Sequence, residues 1–124
     1  MGVDPQERGP VTEGAAEGTA IVLNEAIHQS TRLRIMTMLV SVPETDRLAY
    51  GFIQQTLGLT GGNLTTHLRR LQDAGYLDTT KEFIDAKPRT WVQATSAGRD
   101  AFAEYLQNLE RALSWRPPEI AATS

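Results

Sequence analysis

Residues 57–77, L-G-L-T-G-G-N-L-T-T-H-L-R-R-L-Q-D-A-G-Y-L, constrain this chain more than any other segment. Leu64, Leu68 and Leu71 recur at the spacing of one helix face. Gly58 occupies a cap position that ends a helix over about 51–57, Thr60 caps the next helix, over about 61–74, and Gly75 closes it. Two helices joined by so tight a turn make a helix-turn-helix unit. With a step of about 100° per residue, the leucines define the seated side of the second helix. Gly62, Thr66, Arg69 and Asp73 fall opposite them, Asn63 and Arg70 flank that face, and Thr65 and His67 occupy its shoulders. The outward side thus carries amides and hydroxyls first and guanidiniums further along. That set can read base edges in a major groove, and it is equally the chemistry of a plain solvated surface. The pair Gly61-Gly62 either permits a sharp bend between the helices or leaves backbone N–H groups bare for a phosphate.

The rest of the chain reads around this unit. Thr19 is a candidate cap for a helix over about 20–28, with Leu23 and Ile27 one turn apart. Ser30 is a candidate cap for a helix over about 31–41, where Leu33, Ile35, Met36, Met38, Leu39 and Val40 make much of the circumference apolar. Arg32 and Arg34 stand near its start, and Val42-Pro43 ends it. A short strand is expected at 48–50. Phe52, Ile53 and Leu57 form the stripe of the helix after it. Residues 76–84 and 89–95, rich in Thr, aromatic and β-branched side chains, predict two strands joined by Asp85-Ala86-Lys87-Pro88. Thr95 or Ser96 caps a last helix to about 114, and Pro117-Pro118 marks its limit. The order of elements is mainly α with a small β-hairpin, an α+β winged helix-turn-helix.

Charge and composition narrow the function. The net charge is −3, but residues 1–25 hold Asp4, Glu7, Glu13, Glu17 and Glu25 against Arg8, so the remainder carries about +1. The Gly-, Pro- and Glu-rich residues 1–18 predict a disordered acidic tail, 19–114 the folded domain, and 115–124 a second tail. With no cysteine there are no disulfides and no thiolate metal site. No apolar run reaches a membrane span, so a soluble, cytoplasmic protein is expected. L-G-L-T-G-G lacks the Lys of a phosphate-binding loop, no catalytic constellation stands out, and neither an enzyme nor a cofactor is expected.

Three segments resemble the small ArsR/MarR-type winged-helix transcriptional regulators of bacteria: S-T-R-L-R-I-M-T-M-L at 30–39, the stretch at 57–77, and K-P-R-T-W-V-Q-A-T-S-A-G-R-D-A-F at 87–102. The resemblance spans about 20–113. It implies a homodimer on a roughly palindromic operator in double-stranded DNA, usually as a repressor, with helix 61–74 as the recognition helix and Lys87 and Arg89 as wing contacts. The wing tip here holds Ile84-Asp85-Ala86 where the family often has Gly. His28 and His67, far apart in sequence, do not make the clusters of the metal-sensing members.

The candidate DNA-binding residues are therefore Arg32, Arg34, Thr60, Gly62, Asn63, Thr65, Thr66, His67, Arg69, Arg70, Lys87 and Arg89. His67 has a second reading, packing against the preceding helix. His28 reads as a partner of the first helix's dipole, and Trp91 and Trp115 as packing residues. Phe102, Leu106, Leu109 and Leu113, at spacings of 4, 3 and 4, form a seam that either packs on Leu23 and Ile27 of the chain's own first helix or, with them, builds a dimer. A protein-interaction module without DNA binding is the rival from another class. An effector cleft between the terminal helices and the core is a third possibility.

Overall fold

A computed structural model describes residues 23–118. The predicted tail 1–18, the Thr19 cap, and the tail residues 119–124 lie outside the described residues. The chain divides into two compact units, one over 24–103 and another that holds Leu23 and residues from Glu104 onward.

Helix α1 (Ser30–Val40) starts on Gln29 rather than Ser30: the Gln29 side chain accepts from the Arg32 backbone N–H. Its buried residues are Arg32, Ile35, Met36 and Leu39, a single stripe at i, i+3, i+4 and i+7. A two-residue strand β1 (Leu48–Ala49) leads directly into α2 (Tyr50–Leu57). Gly58 ends α2 with φ 66°, a left-handed cap favoured at glycine. Thr60 then caps α3 (Gly61–Asp73), its side chain accepting from the Asn63 N–H, and Leu64, Leu68 and Leu71 are its buried residues. Both helices match the sequence expectation to within a residue. Phe52 is a correction: of the expected α2 stripe, Ile53 is buried whereas Phe52 is 54% exposed.

Strands β2 (Leu77–Ile84) and β3 (Lys87–Ala94) pair from Leu77↔Ala94 to Ile84↔Lys87. The connection is tighter than expected. Asp85 and Ala86 alone make the turn, with φ 53° and 65°, and Pro88 already belongs to β3. Positive φ at both central residues is what lets a two-residue turn follow strand twist. β1 joins the other edge of β3 through Leu48↔Val92, giving the order β1-β3-β2. Leu77, Val92 and Ala94 are buried at the root of this sheet.

Helix α4 (Ser96–Leu113) opens with Thr95 as its cap, whose hydroxyl accepts from the Gly98 N–H at 2.9 Å. Its start is locked to the sheet: Thr95 N–H donates to Tyr76 O and the Thr95 hydroxyl to Gly75 O. Arg99 reaches back and donates to the carbonyls of Leu39, Val40 and Val42, satisfying the end of α1 with a cation at its negative pole.

Three further expectations are corrected. Residues 23–28 of the predicted first helix are not helical. Asn24 Oδ1 accepts from the N–H groups of Ala26 and Ile27, which makes a side-chain-directed turn and leaves His28 just ahead of the N-cap of α1 rather than at a helix C-terminus. The apolar seam also divides. Ile27 and Phe102 are buried within the 24–103 unit and cannot serve a dimer face, while Leu106 and Leu113 are exposed and Leu109 half-buried. Trp115, expected to pack, is 59% exposed.

Candidate nucleic-acid interface

The leucine stripe seats α3 so that its other side faces out. Asn63, Thr65, Thr66, Arg69 and Arg70 are all exposed, as is Gly62. No side-chain hydrogen bond or ion pair within the described residues engages the Asn63 amide or the guanidiniums of Arg69 and Arg70. Gly61 and Gly62 do not serve the bend. Neither has positive φ, which falls on Gly58 and Gly75 instead. A Cβ on Gly62 would meet nothing within 4 Å, and one on Gly61 would make only an ordinary contact with the Tyr50 hydroxyl at 3.6 Å.

Tyr50, the first residue of α2, was not singled out from sequence. Its hydroxyl donates to Gly61 O at 2.8 Å and lies 2.8 Å from Thr65 Oγ1, tying the start of α2 to the first turns of α3. No local periodicity announces this contact, because the partners lie 11 and 15 residues apart across the turn. Between α3 and the sheet runs an open groove of about 440 Å³. Tyr50, Thr65, Arg69 and Gln72 line it from the helices, and Thr79, Lys81 and Thr90 from the hairpin. Two cations and a set of hydroxyls and an amide thus face one channel, chemistry suited to a phosphodiester backbone.

The hairpin carries its own brace. Arg47 lies 4.7 Å and Arg89 5.8 Å from the Trp91 ring centroid. Glu82 accepts from Trp91 Nε1 at 3.1 Å and pairs with Arg47 at 3.1 Å. Trp91 is a packing residue, as expected, and Arg47 is an unexpected member of the set. Lys87 and Arg89 remain exposed near the tip, and Phe83 beside them is 71% exposed.

One arginine leaves the candidate site. Arg32, expected to anchor a phosphate, is 7% exposed, and its Nε donates to Ala26 O at 2.6 Å. A second guanidinium nitrogen lies 3.3 Å from His67 Nδ1. Arginine only donates, so Nδ1 accepts and the His67 proton sits on Nε2. His67 thereby takes its packing reading: burial first, then the Arg32 and Arg70 charges, hold its pKa below the ordinary histidine value. Burial, then Arg70, likewise lowers the Arg32 pKa, against the pull of Glu25. Arg34 is exposed on the side of α1 opposite its buried stripe. The Thr60 hydroxyl accepts from the Asn63 N–H in the cap and keeps its own proton to donate. Among the described residues no helix is long and apolar enough to cross a membrane.

An exposed polar helix following a tight turn, with a three-stranded sheet projecting a hairpin of mixed charge beside it, defines a winged-helix transcriptional regulator. The chain belongs to the winged helix DNA-binding domain family, which it matches over residues 31–113. It is 30% identical over 78 residues to an uncharacterized protein of Methanocaldococcus jannaschii, covering 63% of this chain and 82% of that one. A transcriptional regulator homologue from Pyrococcus horikoshii superposes with a TM-score of 0.66 at 31% identity, over 73% of this chain and 86% of that one. The fold is also that of a MarR family transcriptional regulator from Silicibacter pomeroyi, with a TM-score of 0.51 at 20% identity, over 77% of this chain and 64% of the other.

Proposed function

We propose that the protein is a sequence-specific regulator of transcription that places α3 in the major groove of double-stranded DNA and lays the β2–β3 wing against the adjacent backbone. Its operator is roughly palindromic, and it acts on it as a homodimeric repressor. The observation that carries this is the outward side of α3: Asn63, Arg69 and Arg70 are exposed and, among the described residues, engaged in no side-chain bond, on a helix held by three buried leucines. Asn63, Thr65, Thr66, Arg69 and Arg70 read or position the groove. Gly62 admits a phosphate to the bare helix start, and Lys87 and Arg89 touch the backbone. Leu23, Leu106, Leu109 and Leu113 supply the dimer contact, supported by the exposure of Leu106 and Leu113.

The test is anisotropy of fluorescent duplexes against salt. Binding should fall linearly on logarithmic axes as counterions are released, and Arg69→Ala with Arg70→Ala should weaken it by roughly 2 to 6 kcal/mol. A chain that binds no duplex even at low salt is instead a protein-interaction module, the reading its near-neutral charge would fit. Sedimentation at micromolar concentration showing only monomer would remove the dimer.

A further inference from the structure

Hydrogen-bond parity at the start of α3 fixes the chemical sense of two hydroxyls. This inference rests on the DNA-binding reading above and specifies what the helix reads. A tyrosine hydroxyl has one proton, and Tyr50 gives it to Gly61 O at 2.8 Å, an oxygen that can only accept. The 2.8 Å contact between the Tyr50 and Thr65 oxygens then needs the threonine proton, so Thr65 donates to Tyr50. Thr66 donates its proton to Gly62 O at 3.0 Å. Both threonines are exposed, and both have only lone pairs left to offer.

We infer that Tyr50 is a positioning residue that makes Thr65 an acceptor-only reader, so that with Thr66 the front of α3 selects bases carrying an amino group in the major groove. Adenine N6 and cytosine N4 donate there, whereas guanine and thymine present only acceptors. Arg69 and Arg70, donors alone, stand further along the same helix and suit guanine O6 and N7. A half-site is thus read as amino-bearing bases at the α3 start and an acceptor-rich purine beyond.

The experiment is selection of bound duplexes from a random library by the full chain and by Tyr50→Phe, Thr65→Val and Thr65→Ser, with thermal unfolding recorded for each. The parent should enrich adenine or cytosine over guanine and thymine at the Thr65 position by about 2- to 10-fold, the range of one neutral hydrogen bond. Tyr50→Phe frees the Thr65 proton, so guanine and thymine should become acceptable at that position while the rest of the motif stands. Thr65→Val should lose the preference, and Thr65→Ser should keep it. A Tyr50→Phe motif identical to the parent's overturns the inference, and so does a weakening spread evenly over all positions, which marks a merely structural tyrosine. Either result leaves the DNA-binding reading standing. A parent that enriches no sequence and shows no salt-dependent duplex binding overturns the underlying reading, and the inference falls with it.

Discussion

Replacing Gly98 with alanine should be the most damaging single methyl added to this protein. Gly98 sits in the first turn of α4 against the backbone where β2 begins. An added Cβ would lie 2.8 Å from the Tyr76 carbonyl carbon and 2.9 Å from its Cα, and closer still to its oxygen. Those are backbone atoms, so no side chain can swing aside. Either α4 or residues 75–77 must move by about an ångström, and overpacking of that kind costs about 1–3 kcal/mol. The same movement strains the Thr95 N–H bond to Tyr76 O and the Thr95 hydroxyl bond to Gly75 O, each worth about 0.5–1.5 kcal/mol. Alanine returns up to about 1 kcal/mol in helix propensity. The net loss is then roughly 1–5 kcal/mol, a large share of the stability of a small domain. Urea unfolding followed by far-ultraviolet circular dichroism measures it directly. Gly51→Ala, in the exposed α2 helix with nothing within 4 Å of the new Cβ, is the control and should be neutral or slightly stabilising. A Gly98→Ala midpoint within about 0.5 kcal/mol of the parent would show that the α4–β2 approach is not the constraint described.

Three other outcomes are expected. The folded-state pKa of His67 is lowered, so its contribution to stability is fully present above the unfolded value of about 6.5 and is lost as pH falls through the folded value. Urea midpoints between pH 7.5 and pH 5 should therefore drop more for the parent than for His67→Gln. Ala86 holds φ 65° in the hairpin turn, and Ala86→Gly should raise stability by roughly 0.5–1 kcal/mol, read as a higher urea midpoint. Gly62→Ala should stabilise the protein by up to about 1 kcal/mol while weakening duplex binding in an anisotropy titration.

The helix-turn-helix was legible because its signals are local. Gly58, Thr60 and the leucine spacing each act within a turn of their own position, and the structure uses them as the sequence implies. The failures are non-local or ambiguous. Leu23 and Ile27 have helical spacing, but the Asn24 side chain captures the neighbouring N–H groups first. Arg32 looked like a surface cation, yet it stands one turn before Ile35 and Met36, on the stripe that packs. Position on that stripe was a signal available in the sequence. The Tyr50 contact with α3 depends on the angle between two helices, and the Gly98 contact joins residues 22 apart, so neither leaves a periodic trace.

The residue types of this chain can be divided by whether folding accounts for them. Gly58 is accounted for by its left-handed cap, Gly98 by a close approach, Arg99 by the end of α1, Arg32 and His67 by each other, and Thr60 by the α3 cap. Gly62, Asn63, Arg69 and Arg70 are not accounted for. Gly62 lowers the helix propensity of α3 by about 1 kcal/mol relative to alanine, with neither positive φ nor a close neighbour in return. Asn63 is a mediocre helix former with no partner for its side-chain amide among the described residues, where no carboxylate is bonded to either of the two adjacent guanidiniums. All four lie on the side of α3 away from its buried leucines. Residues that folding does not require, gathered on one face, are what an external partner would select. Gly62→Ala separates the two demands, because folding should favour the alanine and a phosphate at the helix start should reject it.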